Sequence, residues 1–135
     1  MKIKVLIVDD SRVACTMLTN HVNKIAGFTV VAKAANGVEA IETYDKVRPD
    51  IVFMDVVLPG MDGITALKKI LEVNAEARVI VWSAMDDDMT VKKAFLAGAK
   101  AFLPKPYDQK KLVTILNNFR TQFRQSTKKM RGKIG

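Results

Sequence analysis

The chain has 135 residues, 49% of them hydrophobic and 27% charged, with a formal net charge of +8. That length suits one domain with a single core, and that composition excludes a disordered chain. No apolar run approaches the roughly 20 residues that span a bilayer, and a single cysteine excludes an internal disulfide.

The first predicted element is a strand over Ile3–Val8. Its apolar run resembles the start of a signal peptide, but Asp9-Asp10 cut it short and no small-residue cleavage site follows. It is therefore read as a strand, and the protein as cytoplasmic. Asp10 or Ser11, taken alone, suits a helix N-cap. Cys15 falls in the helix that follows and reads as a small apolar residue rather than a reactive thiol. Thr29–Ala34 is the second strand. Asn36-Gly37-Val38-Glu39 then has a capping side chain with a glutamate three residues on, a helix start.

Asp50–Met54 reads as a strand buried on both faces, with Asp55 at its end still among apolar neighbours. An unpaired carboxylate there is expensive. Asp62-Gly63 reads as a turn before a helix. Arg78–Trp82 is the fourth strand. Asp86, Asp87 and Asp88 favour a helix N-terminus. Val91, Ala94 and Phe95 are predicted to form that helix's apolar stripe, which Gly98 ends. Lys100–Leu103 is the fifth strand, and Leu112, Ile115, Leu116, Phe119 and Phe123 stripe the last helix. Beyond Phe119 come Arg120, Arg124, Lys128, Lys129, Arg131 and Lys133 with no acid, which leaves 16 basic against 14 acidic residues in 1–119. The basic excess is thus a tail, read as a solvated helix end rather than a nucleic-acid surface.

Strand and helix alternate five times, which predicts an α/β fold: a doubly wound parallel sheet with helices on both faces. Such sheets work at the carboxyl ends of their strands. There the sequence places Asp9-Asp10-Ser11, Asp55, Ser83 and Lys105 after the first, third, fourth and fifth strands. Ser83 alone would be a neutral strand-end residue and Lys105 a surface lysine; together with the acids they form a set. With the first and third strands adjacent, three carboxylates converge and repel. Mg2+ and the Lys105 ammonium both relieve that repulsion. A carboxylate so placed can act as a nucleophile and become an aspartyl phosphate. Mg2+ would neutralise developing charge, while Lys105 and Ser83 bind phosphoryl oxygens. No added general base stands ready for rapid turnover.

The residues Val8-Asp9-Asp10-Ser11, Asp55-Val-Val-Leu-Pro59-Gly-Met-Asp62-Gly63, Ser83-Ala84, Gly98-Ala99 and Lys105-Pro106 resemble those of response-regulator receiver domains of the CheY type. The resemblance covers about residues 3–121. It implies a flavodoxin-like (βα)5 sandwich with strand order 2-1-3-4-5, the order known for CheY itself. It implies a receiver domain over 1–121 and a basic helix end or tail over 122–135. Asp55 would be the phosphoacceptor. Asp10, Asp55 and the Val57 backbone carbonyl would ligate Mg2+, with Asp9 acting indirectly. Ser83 and Lys105 would read the phosphoryl group, and the Lys105-Pro106 bond would be cis, against about 5–6% for X-Pro bonds generally. The donor would be a phosphohistidine on a sensor histidine kinase or phosphotransfer protein. Ser83 and Phe102 would form the switch, and an effector protein would bind the face of the fourth helix, fifth strand and fifth helix. On packing alone, Phe102 is a plain core aromatic. Such a protein is a phosphoacceptor, with slow self-dephosphorylation, rather than an ordinary enzyme, and a monomer or weak dimer.

Two departures stand out. The switch aromatic is Phe, so it offers no phenol hydroxyl. Val57 and Met85, which flank the phosphoryl site in receivers, are both apolar and are expected to position hydrolytic water poorly. Trp82 reads as core packing and a fluorescence reporter. Among rival classes, a haloacid-dehalogenase-type phosphatase needs Asp-x-Asp, and Asp55-Val56-Val57 lacks the second acid. A dinucleotide fold needs a glycine-rich turn where Asp9-Asp10 stand. The receiver portion of a longer DNA-binding regulator and an unphosphorylated docking module remain alternatives to a stand-alone CheY-like protein.

Overall fold

The strands over 51–54 and 79–83 are short runs buried on both sides by parallel pairing, while the edge strand over 28–34 is only partly buried. In the computed structural model the elements run β1 (Ile3–Val8), α1 (Arg12–Asn23), β2 (Phe28–Ala34), α2 (Gly37–Val47), β3 (Ile51–Met54), α3 (Gly63–Val73), β4 (Val79–Ser83), α4 (Asp88–Ala97), β5 (Ala101–Pro104) and α5 (Gln109–Ile134). The structure describes the backbone of residues 2–134 and the side chains of 2–124. The strands form one parallel sheet in the order β2-β1-β3-β4-β5. This is the predicted flavodoxin-like arrangement. The basic segment 122–135 lies mostly outside the described side chains. Its backbone continues α5 without a break at residue 121.

The period-two alternation of each strand divides the core in two. Leu6, Val8, Val52, Met54, Val79, Val81 and Phe102 pack on the α2–α4 side with Ala66, Leu67 and Ile70. Val5, Ile7, Phe53, Ile80, Trp82 and Leu103 pack on the other side with Leu18, Leu112 and Leu116. Fully burying one such large side chain stabilises by about 1.5–3 kcal/mol.

The helix starts are set locally. Ser11, Asn36, Asp62 and Asp87 each accept a hydrogen bond from a first-turn amide. Ser11, not Asp10, caps α1, which leaves Asp10 free. Asn36 accepts from the Glu39 amide at 2.8 Å, and the Glu39 carboxylate accepts from the Ala35 amide at 3.1 Å. Gly98 ends α4 with φ +113°.

Two expectations are corrected. Phe95 does not join the α4 stripe; it is 47% exposed, because Thr90 and Ala94 take the sheet-facing positions and Phe95 lies one residue round from Ala94. Arg120 is not part of a solvated tail. Its guanidinium donates to the Ala26 carbonyl and stands 5.0 Å from the Phe28 ring centroid.

Candidate functional site

The register of the sheet builds the site. β1 and β3 pair with Val8 opposite Met54, so Asp9 and Asp55 leave adjacent strands side by side. The Asp55 amide donates to the Val8 carbonyl at 3.0 Å. β4 and β5 pair with Ser83 opposite Pro104, and the Lys105 amide donates to the Ser83 carbonyl at 2.9 Å. The Lys105-Pro106 bond is cis.

Asp9 and Asp55 are buried, at 4% and 6% exposure, while Asp10 faces solvent beside them. One carboxylate oxygen from each lies within 4.8 Å of the others. The Lys105 ammonium reaches both buried acids, Asp9 Oδ2 and Asp55 Oδ2, the latter at 2.9 Å. Asp55 Oδ1 accepts from the Val57 amide at 3.2 Å, and Asp9 Oδ1 from the Ser11 amide at 2.8 Å. Three carboxylates against one ammonium leave the pocket negative. Hard oxygen donors in that number suit a hard divalent cation.

The titrations follow from burial and pairing. Burial pushes the Asp55 carboxyl above its ordinary value, more than the Lys105 ammonium and the Val57 amide pull it down. For Lys105, burial works against the charge, but the hydrogen bonds and charges of Asp9 and Asp55 outweigh it and hold the ammonium above its ordinary value.

The sequence predicts that Asp9, Asp10, Asp55 and Lys105 converge, and the structure brings them together. It predicts Lys105 paired with Asp55; the lysine in fact bridges Asp55 and Asp9. Ser83 is fully buried, and its Oγ accepts from the Met85 amide at 3.1 Å. By strand alternation Ser83 shares the α2–α4 side of the sheet with Phe102, which is 9% exposed. Val57 and Met85 present exposed apolar side chains.

Two residues carry more than the sequence suggests. Gly63 reads as an ordinary turn glycine, yet a Cβ there would stand 1.8 Å from the Asp55 carbonyl oxygen. The start of α3 therefore lies against the backbone of Asp55, and the Gly63 amide donates to the Val56 carbonyl at 2.8 Å. Trp82 reads as core packing, yet the Lys105 Nζ sits 4.1 Å from its ring centroid. The only signal in the sequence is its place beside Ser83.

Comparison with known proteins bears on this geometry. Residues 5–117 match the family model described as the response regulator receiver domain. The chemotaxis protein CheY of Thermotoga maritima is 44% identical over 114 residues, 84% of this chain and 94% of that one. CheY of Bacillus subtilis matches with the same identity and shares. A solved complex of CheY with CheX, BeF3 and Mg2+ from Borrelia burgdorferi superposes with a TM-score of 0.81 at 39% identity, covering 86% of this chain and 88% of that one. A LuxR-family two-component response regulator from Aurantimonas gives a TM-score of 0.84 at 31% identity, covering 90% and 87%. Sheet order, strand-end residues and sequence matches agree, and the chain belongs to the response regulator receiver domain family, as a CheY-like member.

Proposed function

We propose that this CheY-like receiver accepts a phosphoryl group on Asp55 from a phosphohistidine of a partner sensor kinase or phosphotransfer protein. The observation that carries the reading is the setting of the Asp55 carboxylate. It is buried, held by Lys105 and the Val57 amide, and within 4.8 Å of two further acids. An Asp55 oxygen attacks phosphorus. The P–N bond breaks, its electron pair returns to the donor imidazole nitrogen, and that nitrogen takes up a proton. The product is an acyl phosphate on Asp55. Lys105 donates to one phosphoryl oxygen. The Ser83 hydroxyl, which accepts from Met85, has its own proton to donate to another. Asp10, Asp55 and the Val57 carbonyl would hold Mg2+, with Asp9 acting indirectly, and the bound ion would supply charge neutralisation.

Residues 1–121 act as the receiver and 122–135 as a basic helix end. When Ser83 turns toward the phosphoryl group, Phe102 moves into the space it leaves on their shared side of the sheet. α4 buries only Thr90 and Ala94 among the described residues, against four positions for α3. So thinly seated an element shifts at small free-energy cost. The α4–β5–α5 face then binds a cytoplasmic effector protein by direct contact, the CheY-like mode of output. Val57 and Met85 border the pocket with exposed apolar groups. A Val57→Asn, Met85→Glu variant is accordingly expected to dephosphorylate faster, and an unchanged or slower rate counts against the long-lived phosphoryl state.

Intact mass after incubation with a small phosphodonor, with and without Mg2+, tests the reading. One Mg2+-dependent phosphoryl adduct, absent in Asp55→Asn, is the expected result. An adduct that persists in the variant would overturn Asp55 as the acceptor.

A further inference from the structure

We infer that Trp82 is a positioning residue for Lys105, its indole face holding the ammonium while that ammonium exchanges one oxygen partner for another. This rests on the phosphoryl chemistry proposed above. Lys105 reaches three groups at once: Asp9, Asp55 and the Trp82 ring, 4.1 Å from Nζ to the centroid. Two of these are directional hydrogen bonds to carboxylate oxygens. The third is a cation–π contact, which attracts an ammonium over a broad ring face out to about 6 Å. Phosphorylation of Asp55 requires Lys105 to leave a carboxylate oxygen for a phosphoryl oxygen. A hydrogen bond is lost in such a move, whereas the contact with the ring face persists through it.

Three further observations favour the face as the reason for a tryptophan here. Trp82 is 1% exposed, so its position is fixed by packing from β1, β5, α1 and α5 neighbours. Its Nε1–H has no hydrogen-bond partner among the described residues. A buried donor left unpaired is unfavourable, and a phenylalanine would avoid it while still packing. The tryptophan face is also the best of the aromatic faces for a cation. A cleft of about 430 Å3 opens beside the pair, between α1 and the β5–α5 loop, bounded by Met17, His21, Trp82, Lys105 and Tyr107. The ring and the lysine thus both border open space.

The test combines rates with a spectroscopic arm. Phosphorylation of the full chain by a small phosphodonor is followed for wild type, Trp82→Phe, Trp82→Leu, Lys105→Met and the Trp82→Leu, Lys105→Met pair. Mg2+ affinity is measured for each. Trp82→Leu is expected to slow phosphorylation by roughly 3- to 30-fold, with Mg2+ affinity unchanged. Trp82→Phe restores most of the rate. In the Lys105→Met background, Trp82→Leu has no further effect, because its influence runs through the lysine. An equal loss in that background, or a Phe variant no better than Leu, overturns the proposal. Trp82 emission is the arm that survives misfolding of a Trp82 variant: Lys105→Met must shift it, and an unshifted spectrum also overturns the proposal. A wild-type chain that accepts no phosphoryl group fails the reading of the site and the positioning role with it. The emission arm still reports, separately, whether the contact exists.

Discussion

β3 carries an aspartate at each end, and the two are treated in opposite ways. Asp50, at the amino end, exchanges hydrogen bonds with Lys4: its amide donates to the Lys4 carbonyl and its carboxylate accepts from the Lys4 amide, both at 2.8 Å. It is half-buried and extends the pairing of β1 and β3 toward solvent. Asp55, at the carboxyl end, is buried beside two more acids and shares one ammonium with Asp9. One acid completes a ladder. The other is held in a negative charge imbalance that a divalent cation can relieve. Residue type and strand are the same, so the difference comes from what the neighbouring strands deliver to each rim.

The largest test of that contrast is all-or-none. Asp55→Asn is expected to abolish the phosphoryl adduct and Asp50→Asn to leave it intact, as read by intact mass; equal behaviour of the two would break the comparison. Glycines come next. Gly63→Ala puts a methyl group 1.8 Å from the Asp55 carbonyl oxygen, and overpacking against backbone there should cost about 3 kcal/mol. Gly27, on the amino rim, has φ +91° and meets only the Arg120 side chain at 3.6 Å or beyond. Gly27→Ala should therefore cost only the conformational penalty, about 1–2 kcal/mol. Urea unfolding of both variants measures the gap.

Mg2+ should act on one rim alone. At a hundredfold excess over Kd it should stabilise the fold by about 2.7 kcal/mol. Asp10→Asn and Asp55→Asn should lose much of that gain, Asp50→Asn should keep it, and a chelator should remove it. Thermal unfolding with and without the ion reads this directly.

The smallest effect is on pH dependence. Lys105 has its pKa raised above 10.5 in the folded state, so its contribution is fully present below 10.5 and is lost as pH rises through the folded value. Lys105→Met should remove that alkaline loss. The Asp55 pKa is raised above 3.8, so the folded state holds this proton more tightly, and ionising Asp55 lowers stability as pH rises from 3.8 through the folded value. Asp55→Asn should flatten that acid-side step in unfolding measured across the window without metal.

Much of the fold is legible in the sequence because its signals are local. The strands show as short Val/Ile runs, and their observed ends differ from the sequence reading by one residue at most, with pairing to neighbours choosing the last residue. Asn36, Glu39 and Gly98 show through their capping chemistry. Phe95 misleads because an apolar residue on an amphipathic helix need not face the core when Thr90 and Ala94 fill the contact. Gly63 is legible as a turn residue, but its closeness to Asp55 depends on how α3 meets β3. Arg120 reads as tail charge because its partners, Ala26 and Phe28, lie more than ninety residues away in sequence.

By itself the sequence determined the alternation of strand and helix, the caps, and which residue follows each strand, since these depend on neighbours a few positions apart. Only the tertiary structure decided that Lys105 bridges Asp9 and Asp55 on the face of Trp82, that Ser83 lends its oxygen to Met85, and that Gly63 leaves room for the Asp55 carbonyl. Those contacts depend on sheet register and helix seating, and the lysine's join residues 23 to 96 positions apart.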